Sequence, residues 1–165
     1  MLGIDPGLRG AIAALQVSPA IHISVCSLPN LDQCVSGKVR RRVDLDATFS
    51  ALRAFSVNAP DLAVFEDVQG RPNQSGGVTF GKIGGAIEMA LIALELRRHP
   101  VSPQTWTRAF KIPSKKKAPG ASQLAASRLF PSFAHLWAKK TEHDKAEAAL
   151  LAWYGLTHVL GWKPA

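Results

Sequence analysis

The chain has 165 residues, 47% of them hydrophobic and 19% charged, a globular balance that excludes disorder as the main state. At this length the composition describes one domain spanning residues 1–165. Apolar runs all stop short of the roughly 18 residues of a membrane span, and the sequence carries no amphipathic basic helix suited to a membrane surface. Lys and Arg number 20 against 12 Asp and Glu, a formal charge of +8 that favours a polyanionic partner, nucleic acid first.

Leu2 to Asp5 is a short apolar run ending in Asp-Pro-Gly, which predicts a strand running into a turn. Ala11 to Val17 and Ile21 to Leu28 follow as strands, the second alternating through Ile21, Ile23 and Val25. Together the three predict an antiparallel meander. Cys26 and Cys34 have neither metal-ligand spacing nor a disulfide framework, so thiols in a reducing compartment are expected. The basic stretch Lys38-Val39-Arg40-Arg41-Arg42 leads to Asp44, an N-cap for a helix reaching about Ser56. Leu62 to Phe65, closed by Glu66 and Asp67, predicts a buried central strand, and Gln69 to Gly77 a loop. Phe80, Ile83, Ile87, Ala90, Leu91 and Leu94 then recur at helical spacing. Gly81, Gly84 and Gly85 in that helix each cost up to about 1 kcal/mol relative to Ala, which points to close approach to a sheet or to another subunit. The last third predicts a short helix near Gln104 to Phe110, a lysine-rich loop over Lys111 to Gly120, and a helix over Ser122 to Phe130 stopped by Pro131. A final helix starts near Thr141. Strands first, then alternating helices and strands, make a mixed α/β chain unlike a doubly wound dinucleotide fold.

Asp5 and Glu66 stand at the ends of apolar strands, the sheet edge where α/β proteins bind ligands. A plain turn residue at Asp5 and an ordinary strand-end charge at Glu66 are the competing explanations. In the final helix His143 and Glu147 stand at i and i+4, and Asp144 and Glu147 at i and i+3, so either pair shares a face. Thr141-x-x-Asp144 also reads as a capping box with Thr141 as N-cap. Glu147 lies among Ala146, Ala148 and Ala149, a setting in which a carboxylate needs a partner. Asp5, Glu66 and Glu147 cannot neutralise one another. Bringing them together demands a cation, and hard oxygen donors select Mg²⁺ or Mn²⁺. Beside a basic surface, such a cluster suggests metal-assisted phosphodiester hydrolysis.

Leu2-Gly3-Ile4-Asp5-Pro6-Gly7, Val64-Phe65-Glu66, Thr79-Phe80-Gly81 with Gly84, Ser102-Pro103-Gln104-Thr105-Trp106 and Ala146-Glu147-Ala148 together resemble RuvC-type Holliday junction resolvases of the RNase H-like superfamily. The resemblance runs in order across about 145 residues. The Pro-x-x-Trp and Ala-Glu-Ala pieces are more similar to the bacteriophage and chloroplast branches than to the bacterial housekeeping enzyme, and Arg40 to Asp44 resembles the chloroplast branch. This resemblance implies an α/β RNase H-like fold with a mixed five-stranded sheet, three antiparallel N-terminal strands followed by parallel ones, flanked by helices. It also implies a homodimer and two Mg²⁺ ions, with Mn²⁺ as substitute, held in each subunit by Asp5, Glu66, His143 and Glu147. The bacterial pattern would select Asp144 in place of His143. His143 must be neutral at one nitrogen to bind a metal, so activity is expected to fall at acidic pH. The family's functional lysine carries over to Lys115, Lys116 or Lys117, with Lys117 taken as catalytic. An aromatic that wedges into the junction in bacterial RuvC is replaced here by Gln69.

Arg40, Arg41, Arg42, Arg71, Lys111, Lys115, Lys116 and Lys117 are expected to contact phosphates, with affinity falling steeply in salt. Trp106, Trp137, Trp153 and Trp162 could stack on bases, though Trp106 and Trp153 read as structural. The expected function is structure-selective cutting of four-way junction DNA by symmetric paired nicks. The alternatives are a nuclease of the same fold acting on flaps, forks or RNA–DNA hybrids, and a catalytically silent junction binder. A sugar-kinase-like phosphotransferase would need a second phosphate loop, and none is visible. The glycine-bearing helix from Thr79 is the expected dimer surface. A chloroplast nucleoid location, for a protein without its transit peptide, is expected; the cytoplasm of a phage-infected bacterium is the alternative.

Overall fold

The computed structural model describes residues 1–57, 60, 62–67, 77–114 and 117–163. In chain order the elements are β1 (Leu2–Asp5), β2 (Ala11–Gln16), β3 (His22–Ser27), β4 (Asn30–Val35), β5 (Lys38–Val43), α1 (Leu45–Ser56), β6 (Ala63–Glu66), α2 (Gly77–Ala93), β7 (Arg98–Val101), α3 (Pro103–Ala109), α4 (Ala121–Leu129) and α5 (His143–Tyr154). The apolar N-terminal runs build the expected meander, β1 to β2 to β3, all antiparallel. β6 and β7 extend it on the other side of β1 as parallel strands, giving the order β3-β2-β1-β6-β7.

The period-2 alternation of strands then divides the core in two. Leu2, Ile4, Ala63 and Phe65 pack on one face against Leu52 of α1 and Ile83, Ile87 and Leu91 of α2. Ala11, Ala13, Leu15 and Val64 face the other way, against the alanines and leucines of α5 and against Trp106, Phe130 and Trp153. α5 crosses β1 at Gly3, where a Cβ would collide with the backbone of Ala148 and Ala152. Only a residue without a side chain lets the helix lie this close. Asp5 and Glu66 share the parity of Gly3 and Val64, so the alternation turns both toward the α5 side.

α1 starts as expected, with the Asp44 carboxylate accepting from Ala47 N–H at 3.0 Å, a cap worth about 1 kcal/mol. Three expectations are corrected. The stretch Lys38 to Arg42 is no simple lead-in to α1. It is strand β5, paired with β4 in a separate two-stranded sheet, and the turn residues Ser36 (φ 51°) and Gly37 (φ 73°) both lie in the left-handed region that a tight type I′ hairpin requires. Second, Gly81, Gly84 and Gly85 of α2 do not approach the sheet, since a Cβ on any of them would meet nothing within 4 Å. Third, Thr141 does not cap the last helix. A 3₁₀ turn over Lys140–Glu142 precedes α5, Glu142 accepts from Lys139 N–H at 3.2 Å, and Asp144 is turned inward and buried. Among the described residues no helix is long and apolar enough to cross a membrane.

Candidate active site

At the carboxyl edge of β1, Asp5 meets the first two turns of α5. Asp144 and Glu147, one helical turn apart, both face the sheet, and Asp5, Asp144 and Glu147 are 7%, 8% and 4% exposed. One carboxylate oxygen from each lies within 4.8 Å of the others. Buried like charges at this range repel one another unless a cation joins them. Asp144 Oδ1 lies 3.0 Å from His143 Nε2, whereas Asp144 Oδ2 is buried with no hydrogen-bond partner. A buried orphan carboxylate oxygen beside two further carboxylates fits a hard divalent ion.

These acids line a cleft of about 430 Å³ together with Glu66, Trp106, Ser122 and Arg9. Glu66 ends β6, and its Oε1 accepts from the indole N–H of Trp106 at 2.9 Å. Trp106 is itself in the core, at the middle of α3, so its buried donor holds the carboxylate in place. Ser122, in the first turn of α4, donates to Glu147 Oε1 at 2.9 Å in a buried hydrogen bond. A neighbouring cleft of about 600 Å³ shares Arg9, Ser122 and Glu147 and adds His143 and Lys140.

The structure therefore gathers Asp5, Asp144 and Glu147 into one cluster, sets Glu66 on the wall of the same cleft, and leaves His143 alongside Asp144 at the wall of the second. Among the described residues the cations on these walls are Arg9 and Lys140, neither singled out by the sequence. Lys117 is exposed outside both walls, and Lys111 lines a third, smaller cleft. Arg40, Arg41 and Arg42 lie on the β4–β5 hairpin. Arg71, Lys115 and Lys116 lie outside the described residues, as does Gln69. Ser122 also escaped the sequence reading. The available signal was a small hydroxyl in the first turn of a helix, too common to single out. Trp106 was legible as structural, and the need of a buried indole N–H for an acceptor was the clue to its tie with Glu66.

A three-stranded antiparallel meander continued by parallel strands, with an acid-bearing helix across the central strand, is the RNase H-like fold. Within it the chain is similar to Thermus thermophilus RuvC, with a TM-score of 0.54 and 15% identity over 97% of this chain and 95% of that one. It is similar to T. thermophilus RuvC in complex with Holliday junction substrate, with a TM-score of 0.53 and 16% identity over 93% of each chain. It is likewise similar to Fowlpox virus resolvase in complex with substrate Holliday junction DNA, with a TM-score of 0.54 and 15% identity over 98% of this chain and 99% of that one. No protein-family model and no curated protein sequence matches the chain.

Proposed function

We propose that this chain is a Mg²⁺-dependent endonuclease that resolves four-way DNA junctions as a homodimer, with two ions in each active site. The observation that carries the reading is the buried cluster of Asp5, Asp144 and Glu147 at the sheet edge, on the fold of two resolvases whose structures hold junction DNA. Asp5, Asp144 and Glu147 would hold one ion, and Glu66, in the same cleft, would supply a donor for the second. A divalent ion bound there supplies Lewis-acid activation of water and neutralises charge on the attacked phosphate. His143 holds Asp144 Oδ1 and leaves Oδ2 as the donor atom, which favours Asp144 over His143 as the helix's first ligand. Ser122 fixes the Glu147 carboxylate, and the Trp106 indole fixes Glu66. Arg9 and Lys140 line the clefts where a backbone phosphate would lie, and both suit it by charge.

A two-fold substrate suits a two-fold dimer. Support for one comes from α2, whose Val78, Gly81, Gly85, Met89 and Ile92 are exposed at helical spacing and make an apolar stripe for a second copy. Met89→Lys is expected to convert a dimer to a monomer by sedimentation.

Cleavage of a labelled synthetic four-way junction in Mg²⁺, beside linear duplex, a flap and an RNA–DNA hybrid, tests the function. Symmetric nicks confined to the junction, abolished by EDTA and by Glu147→Gln, are the expected result. Faster cutting of the flap or hybrid would keep the metal site and replace the substrate. Tight junction binding without cutting in either Mg²⁺ or Mn²⁺ would overturn the enzyme.

A further inference from the structure

The β4–β5 hairpin has no part in the cleft, yet its root lies at the same sheet edge. Asp5 pairs with Ala11, and Ala11 pairs with Ser27 at the end of β3. Leu28 N–H then donates to Gly10 O at 2.7 Å, and Asp44 N–H to Pro29 O at 2.9 Å, closing the base of the hairpin two strands away from the acid cluster. Six residues in each strand reach about 20 Å from that base. Among the described residues both strands are exposed except Val35, half-buried near the tip, and Val43, which drops into the core at the root.

The register sorts the charges. Residues directly opposite in an antiparallel pair share a face. Arg41 stands opposite Asp32, and the two form an ion pair of 3.6 Å on the face that Val43 shares. Lys38, Arg40 and Arg42 occupy the other face, opposite Val35, Gln33 and Leu31, with no acid among those partners. Three uncompensated cations therefore stand at every second residue, about 6.6 Å apart, on the side turned away from Val43. Among the described residues none of the three forms an ion pair, and all three are exposed, so the row adds little to the fold and is free to meet a polyanion.

We propose that this hairpin is a duplex-gripping arm: Lys38, Arg40 and Arg42 track the phosphate backbone of a double-stranded DNA arm leaving the acid cleft, while Arg41 is held off by Asp32. The inference rests on the proposed junction reading and names the partner of a surface outside the active site. Contacts made by such a row carry no base sequence; they position the duplex. About 20 Å of ribbon covers about six base pairs at 3.4 Å each.

The test is equilibrium binding of the full chain to a fluorescent four-way junction in EDTA, across a series of KCl concentrations. Each phosphate contact adds about 0.9 to the slope of log K against log salt. Arg40→Gln/Arg42→Gln is expected to lower that slope by about 2 and weaken binding roughly tenfold at low salt. Arg41→Gln is expected to move it by less than half as much as Arg40→Gln alone. Arg53→Gln, an equal charge loss on α1, controls for net charge. An unchanged slope in the double variant, with wild type binding the junction, overturns the arm and leaves the junction reading standing. An equal effect of Arg41→Gln and Arg40→Gln overturns the face assignment. Wild type that fails to bind the junction overturns both.

Discussion

The acid cluster between β1 and α5 and the basic hairpin β4–β5 leave the same edge of one sheet with opposite charge and opposite surroundings. In the first, three carboxylates are buried under a helix pressed against a glycine; in the second, three cations stand in water on a ribbon that packs on little. Charge in the buried region acts on stability as well as on function, because desolvation and repulsion raise the energy of the fold itself. Charge in the exposed region acts on binding alone, because solvent screens it in the free protein. The fold tolerates the buried cluster because α5 places Leu150, Leu151 and Trp153 in the core, each worth about 1.5–3 kcal/mol.

The hardest way to break this contrast is at Gly3. Gly3→Ala drives a methyl into the backbone of α5, and overpacking against backbone is expected to cost about 3 kcal/mol. For a chain of this size that is a fall of about 10 °C in Tm, read by thermal melting, with Asp144 and Glu147 displaced together. An unchanged Tm would mean that α5 does not lie on β1, and the cluster would lose its geometry.

Next in size are the acids. Glu147→Gln and Asp144→Asn are each expected to lower junction cleavage at least about a hundredfold, and Asp144→Asn, which removes the charge on the buried orphan oxygen, to raise the metal-free Tm by about 3 °C. Divalent ion is expected to stabilise the wild type, by about 2.7 kcal/mol at a hundred times Kd, with EDTA reversing the gain and either variant abolishing it. Activity loss accompanied by a lower metal-free Tm would mark these acids as ordinary structural pairs. Arg40→Gln/Arg42→Gln should show the mirror pattern, with weakened binding at unchanged Tm.

Smaller again is the effect of the groups that hold the acids. Ser122→Ala removes the hydroxyl bound to Glu147 and is expected to cut cleavage roughly tenfold while raising the Mg²⁺ needed for half-maximal rate. Ser122→Thr should restore much of both. A loss of rate at unchanged Mg²⁺ dependence would move Ser122 away from the metal site.

What the sequence disclosed and what it hid follow from the same division. The sheet was legible because β1, β2 and β6 are short apolar runs with buried faces, and Asp5 and Glu66 could be placed at one edge because each ends such a run. The place of Asp144 was left open, because Thr141-x-x-Asp144 satisfies a capping pattern equally well and His143 shares a helix face with Glu147 too; the actual helix start is displaced by a 3₁₀ turn that brings Glu142 to the capping position. Gly3 and Gly81, Gly84 and Gly85 of α2 look alike in sequence, but only packing reveals that a Cβ on the first would meet a helix and on the others would meet no described atom within 4 Å. The hairpin went unseen for the most direct reason. An Arg-rich strand exposed on both faces has no apolar alternation to betray it, and only Ser36-Gly37 marked the turn.

The smallest expected effect tests the seam between the two kinds of charge, at Glu142. This residue precedes α5 by one position and accepts from Lys145 Nζ at 3.0 Å as well as from Lys139 N–H. The Lys145 hydrogen bond first, and the Lys139 backbone second, hold its carboxyl below the ordinary carboxylate range. Because the folded pKa is the lower one, the stabilisation is fully present above the unfolded value of about 4.3 and is lost as pH falls through the folded value. Glu142→Gln is therefore expected to cost about 1 °C in Tm at pH 7, a deficit that shrinks below about pH 4 and vanishes once the wild-type carboxylate is protonated. Melting both proteins from pH 7 to pH 3 reads it. A deficit that persists at pH 3 would assign the loss to side-chain packing at the head of α5 rather than to charge.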